Sequence, residues 1–118
     1  MLYSTYVNPL MAERISEEYF LPELDYYNLG KAAVILRALN HTFRQRIIKT
    51  IYYNKTITVT QLSAMLRLEQ PLTSLNLAIL RKAGIVMVRR EGKYSIYSID
   101  ISRIKLINET VRNLVEKL

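Results

Sequence analysis

The residues with chemistry to offer in this chain of 118 are mostly cations. Arg89, Arg90 and Lys93 enclose Glu91-Gly92 in one short run, and Arg44, Arg46, Lys49, Arg67, Arg81 and Lys82 precede them. Residues 31–93 hold twelve Lys and Arg against only Glu69 and Glu91, whereas residues 1–30 hold Arg14 against five acids. The surplus behind the net charge of +7 is therefore concentrated in the middle of the chain. Clustered guanidinium and ammonium groups neutralise a polyanion, so a nucleic acid is the partner this pattern implies, with a merely solvated basic surface as the alternative. Catalytic chemistry is poorly provided for. With no Cys and a single His, His41, the chain has no thiolate nucleophile, disulfide, iron–sulfur cluster or multi-histidine metal set. No glycine-rich phosphate loop and no Ser/His/Asp constellation occurs, and Glu17/Glu18 reads as a solvated helix face. Neither a cofactor nor an enzyme is expected.

A chain of this length makes one domain. Half its residues are apolar, enough for a core, and 3 Gly and 3 Pro argue against a loop-dominated fold. Residues 1–10 have no basic start and their apolar residues are interrupted by Ser4, Thr5 and Asn8, so no secretory leader is expected. No run of 18 uncharged apolar residues occurs, so no membrane span is expected, and a cytoplasmic location is.

Apolar spacing and end signals then give the elements. Asn8-Pro9 opens a helix over 10–21, with Ile15 and Tyr19 on its apolar side, and 26–30 reads as a junction. Residues 31–40 make a short helix, apolar nearly all round, which needs cover on more than one side. Thr42-Phe43-Arg44-Gln45 fits a capping box opening a helix that carries Phe43, Ile47, Ile48 and Ile51. Residues 55–59 are strand-like, and a short helix with Leu62, Met65 and Leu66 runs over about 60–68, with Thr58 and Thr60 as rival caps. Glu69-Gln70-Pro71 breaks and restarts the chain into a helix over 71–83 that Gly84 ends. Alternating runs at 85–90 and 94–99 flank Glu91-Gly92-Lys93 as a hairpin. Asp100 or Ser102 caps a last helix bearing the stripe Ile101, Ile104, Ile107 or Asn108, Val111, Leu114 and Leu118.

Three short helices, a tight break between the last two and a basic hairpin describe a winged helix-turn-helix. The fold class is mainly α with a small β-hairpin wing (α+β), flanked by N- and C-terminal helices. In such a domain one helix enters the major groove while the wing reaches flanking phosphates or the minor groove.

Leu39-Asn40-His41-Thr42-Phe43-Arg44, Val59-Thr60-Gln61-Leu62-Ser63, Leu77-x-x-Leu80-Arg81-Lys82-Ala83-Gly84-Ile85-Val86 and Arg89-Arg90-Glu91-Gly92-Lys93-Tyr94-x-x-Tyr97 follow one another in this order. The series resembles ArsR/SmtB-type transcriptional regulators over roughly residues 31–118. The resemblance implies a homodimer on an imperfect palindrome near a promoter in double-stranded DNA; a repressor is expected rather than an activator. Residues 1–30 would pad the dimer interface, 31–100 form the DNA-binding core and 101–118 the dimerisation helix. The expected interface comprises Ile15, Tyr19, Val34, Leu36, Ile104, Ile107, Val111 and Leu114; alternatively the C-terminal stripe folds back on its own core. Tyr3, Tyr6, Tyr26 and Tyr27 join the interface in this reading, while Tyr94 and Tyr97 pack within the hairpin.

Two departures from the family pattern matter. Residues 58–66 have no Cys and the C-terminal helix no His, so the usual metal and thiol sensors are missing, and any effector is a small molecule of unknown kind. The second concerns base reading. Registered on Leu77, Leu80 and Gly84, the family's groove-facing positions fall on Gln70, Pro71, Leu72, Ser74, Leu75 and Asn76, with two leucines where relatives often carry polar residues, and Thr73 between them is counted among the DNA contacts. Gln70 and Asn76 suit adenine edges and leucine methyls suit thymine methyls. Leu72 and Leu75 otherwise serve packing, or with Ile79 grip a protein, which makes a protein-interaction module the rival function. Arg67, Arg89, Arg90 and Lys93 complete the expected DNA contacts. Arg44 is assigned a structural or phosphate contact, Arg81 and Lys82 suit a helix C-terminus as well as DNA, and His41 is a local hydrogen-bond partner.

Overall fold

The computed structural model of the chain describes residues 23–118. The helix expected over 10–21, with Ile15 and Tyr19, lies outside the described residues. The chain enters α1 (Tyr26–Leu39) through Asp25, whose Oδ1 accepts from the Asn28 backbone N–H at 3.0 Å and whose Oδ2 accepts from Asn28 Nδ2. This cap turns the expected 26–30 junction into the helix's first turn. The backbone bond, then the side-chain bond, holds the Asp25 carboxyl below its ordinary pKa. Of the α1 side chains only Ala38 is buried, and Tyr26, Tyr27, Leu29, Val34 and Leu36 stand exposed.

The next helix, α2 (Thr42–Asn54), is capped by His41 rather than by Thr42. His41 sits in extended backbone and its Nδ1 accepts from the Arg44 N–H at 3.4 Å; Thr42 is already helical. Gln45 closes no box because its Nε2 donates to the Leu39 carbonyl at 3.0 Å. Ile47 and Ile51 are fully buried, with Phe43 and Ile48 beside them.

Lys55 then reverses the chain at φ 64° and ψ −58°, and the Thr56 N–H donates to the Asn54 carbonyl across it at 2.7 Å. This is a γ-turn of the strained kind, in which a Cβ is crowded. Lys55→Gly is expected to raise unfolding stability by about 0.5–1 kcal/mol, the relief of that crowding less the added entropy of the unfolded chain. Lys55→Ala, which keeps the Cβ, leaves the urea midpoint unchanged; equal midpoints for all three proteins contradict the strain.

β1 (Ile57–Thr58) leads into α3 (Val59–Leu66), where Thr58 prevails over Thr60 as the cap. Thr58 Oγ1 accepts from the Gln61 N–H at 3.2 Å, and Gln61 Oε1 accepts from the Thr58 N–H at 3.0 Å. Arg67, left-handed at φ 56°, makes the turn, and Glu69 opens α4 (Gln70–Lys82) with Pro71 in its first turn. Gly84 ends α4 at φ 76°, its N–H bonded to the Arg81 carbonyl and that of Ile85 to Leu80, both pairings of a Schellman motif. A Cβ on Gly84 would also lie 3.2 Å from Arg103 Nε.

β2 (Val86–Glu91) and β3 (Tyr94–Ile99) form the hairpin, turning at Gly92-Lys93 with Gly92 at φ 61°. The sheet is antiparallel in the order β1-β3-β2, with Val86 opposite Ile99, Arg90 opposite Ser95 and Ile57 opposite Tyr97. α5 (Ile101–Val115) follows, and Asp100, not Ser102, caps it through the Arg103 N–H at 3.0 Å.

One apolar cluster joins these elements: Ile47 and Ile51 from α2, Leu62 and Leu66 from α3, Leu77 and Leu80 from α4, and Ile57, Val86 and Ile99 from the sheet. The C-terminal stripe divides. Ile104 and Ile107 pack against this cluster, as the fold-back alternative requires, while Ile101, Leu114 and Leu118 of the stripe are exposed, as are Leu106 and Val115 outside it. The architecture is a winged helix-turn-helix, mainly helical α+β.

Candidate nucleic-acid interface

α3, the Arg67 turn and α4 form the helix-turn-helix, and the helical period of α4 decides which side chains a groove can meet. Thr73, Asn76, Leu77 and Leu80 recur at three- and four-residue spacing and are buried. Gln70, Pro71, Leu72, Ser74, Leu75, Ala78, Arg81 and Lys82 are exposed. Two expected contacts are thereby corrected. Thr73 is fully enclosed, its hydroxyl donating to the Glu69 carbonyl at 3.3 Å. Asn76 is buried, its Nδ2 donating to the Leu72 carbonyl at 2.9 Å while its Oδ1 accepts from Arg44 Nη1 at 3.2 Å. The signal was present in the sequence: both lie on the face of Leu77 and Leu80.

Arg44 takes the structural role of its two alternatives. Its Nε donates to the Ala38 carbonyl at 2.6 Å and its Nη2 to the Arg37 carbonyl at 3.2 Å. With the bond to Asn76, the guanidinium clamps the end of α1 to the middle of α4, and all three of its nitrogens donate within the fold. Gln70 remains exposed and its Nε2 reaches Thr60 Oγ1 on α3 at 3.4 Å.

The wing cations do not form a single cluster. Strand alternation sends Arg90 to the side of Val86 and Val88, and Arg89 to the side of Met87. Arg90 Nη1 donates to Ser95 Oγ at 3.1 Å. Arg89 Nη2 pairs with Glu91 Oε2 at 3.2 Å, both well exposed, so the pair contributes little to stability and holds Arg89 only loosely. Lys93 lies in the turn with its Nζ 5.5 Å from the Tyr94 ring centroid. Tyr94 is exposed rather than packed; Tyr97 is half-buried against the core. Arg67 is exposed at the turn before α4, and Arg81 and Lys82 are exposed at its far end. Met65, expected on the apolar side of α3, is exposed as well.

Among the described residues no group of three His, Cys, Asp or Glu could hold a metal ion, and no helix is long and apolar enough to cross a membrane.

Comparison with known proteins agrees with this geometry. Residues 44–88 match the model of the family described as bacterial regulatory protein, arsR family. An uncharacterised HTH-type transcriptional regulator from Methanocaldococcus jannaschii is 38% identical over 84 residues, covering 71% of this chain and 94% of the relative. The transcriptional activator HlyU of Vibrio cholerae is 32% identical over 87 residues, 74% of this chain and 80% of the relative. The crystal structure of the transcriptional repressor PagR of Bacillus anthracis superposes with a TM-score of 0.59 at 28% identity, over 73% of this chain and 99% of that one.

Proposed function

Because this chain belongs to the ArsR family of bacterial regulatory proteins, and is thus a DNA-binding transcriptional regulator, we propose that it acts as a homodimeric, sequence-specific repressor. α4 enters the major groove with Gln70, Leu72, Ser74 and Leu75 outward, and Arg67, Arg89, Arg90 and Lys93 meet phosphates. Residues 31–100 carry this activity, and residues 1–30 and 101–118 join two copies. The uncovered outer face of α4, bracketed by exposed cations, carries the reading. Val34, Leu36, Val111 and Leu114 line the interface between copies, helped by the flanks of Ile104 and Ile107 that their own core leaves open. Work on a promoter places the protein in the cytoplasm. Metal and thiol sensing through the family's usual residues is closed to a chain without Cys and with no His on α5, so an effector would be a small molecule of another kind.

Repression follows physically if the dimer covers promoter DNA; the relatives include both a transcriptional repressor, PagR, and a transcriptional activator, HlyU, and a reporter assay separates the two outcomes. The DNA interface is tested by titrating salt. Arg89→Ala/Arg90→Ala is expected to weaken binding to every duplex and to lower the slope of log affinity against log salt by about 0.9 for each phosphate that is no longer neutralised. An unchanged slope removes the wing from the interface. The exposed Leu72 and Leu75 favour one rival, a protein-binding module, and failure to retard any duplex at low salt would point to it.

A further inference from the structure

α4 presents an unusual face for a helix that reads DNA. With Thr73 and Asn76 turned inward, the outward positions before Arg81 are Gln70, Pro71, Leu72, Ser74, Leu75 and Ala78, and of these only Gln70 and Ser74 can hydrogen-bond. Leu72 is 45% and Leu75 59% exposed, so neither belongs to the core. The face is apolar at its centre and cationic at both ends, with Arg67 before it and Arg81 and Lys82 in its last turn. Cations at the ends suit a polyanion rather than an apolar protein surface. In the major groove the one apolar group that distinguishes bases is the C5 methyl of thymine.

We propose that Leu72 and Leu75 read thymine methyl groups, and that each half-site of the operator carries thymines at neighbouring base pairs beneath them. The inference rests on the DNA-binding reading above and assigns its specificity to methyl contact rather than to paired hydrogen bonds. Three residues of helix rise about 4.5 Å, close to the roughly 3.4 Å between successive bases on one strand. Two leucines at this spacing share a face and match adjacent methyls, not methyls half a turn apart. Ser74 and Gln70, each two positions from Leu72, are exposed to one side of the pair and supply the remaining polar contacts.

The test begins with duplexes selected by the protein from a random pool, whose consensus is expected to contain a thymine–thymine step in each half-site. Deoxyuridine then replaces those thymines, which removes the methyls and keeps pairing and charge. Affinity is expected to fall about fourfold per methyl, on the ordinary scale for a buried methyl group, with the salt dependence unchanged. Leu75→Ala should weaken the thymine duplex by a comparable factor and lose most of its own sensitivity to uracil at the facing position. Because Leu75 is exposed, its thermal melt serves as the folding control. A duplex bound equally well with uracil, a consensus without the step, or a Leu75→Ala protein as uracil-sensitive as the parent overturns the proposal while leaving DNA binding intact. Absence of binding to any duplex overturns the DNA-binding reading as well, so the two failures are distinguishable.

Discussion

With Val34 and Leu114 both changed to Asp, the protein is expected to sediment as a monomer, keep its helical circular dichroism and lose binding to a two-half-site operator. Val34 is 52% and Leu114 72% exposed in the single chain, so neither substitution disturbs the core. In a two-fold dimer each position occurs twice, and burying a Val or Leu side chain contributes about 1.5–3 kcal/mol. Removing even half of that at four positions, before the cost of burying four carboxylates, weakens association by more than a hundredfold. Ile104 and Ile107 are the wrong residues for this experiment because they also pack on their own chain's core. A double variant that stays dimeric and binds DNA normally would show that the copies meet elsewhere.

Arg44→Leu is expected to lower unfolding stability by about 2–4 kcal/mol, since three charge-assisted bonds disappear and the Oδ1 of buried Asn76 is left unpaired. For a domain of this size each kcal/mol shifts the melting temperature by about 4–8 °C, so the change is read directly in a thermal scan. Arg44→Lys should recover only part of the stability, since an ammonium cannot span the Arg37 and Ala38 carbonyls and the Asn76 amide together. Asn76→Ala added to Arg44→Leu should cost less than Asn76→Ala alone, because the two side chains share one bond. Were Arg44 a phosphate contact instead, the substitution would flatten the salt dependence of DNA binding and spare the melting temperature.

Sequence signals that act within four residues were the legible ones. Gly84 needed its positive φ, Thr58 and Gln61 satisfy each other's backbone groups, and Gly92 turns the hairpin. The Asp25 cap acts over the same range but sits in an acidic stretch after Pro22 that reads as a break, so α1 begins earlier than its apolar pattern. His41 took the cap from Thr42 because backbone conformation, which no residue type announces, put the imidazole within reach of the Arg44 amide. At the site the error was of another kind. The family's contact register points Asn76 at the groove, and Thr73 is counted with it, although their spacing from Leu77 and Leu80 places both inside. The division of Arg89 from Arg90 follows from the two-residue repeat of a strand, which their adjacency in the basic run Arg89-Arg90-Glu91-Gly92-Lys93 masks. The fate of the C-terminal stripe was not decidable from periodicity, because Ile104 and Leu114 look alike until the core is assembled.

The meeting of Gly84 with Arg103 has a mechanical meaning. The Asp100 N–H donating to the Ile85 carbonyl at 3.0 Å ties the start of α5 to the turn after α4, and the Arg103 side chain leaves little room for a Cβ at Gly84. That bond couples the helix that would grip a twin molecule to the one that would probe bases. Two such units, if joined through their final helices, would act as a gauge to whose stride a promoter must conform.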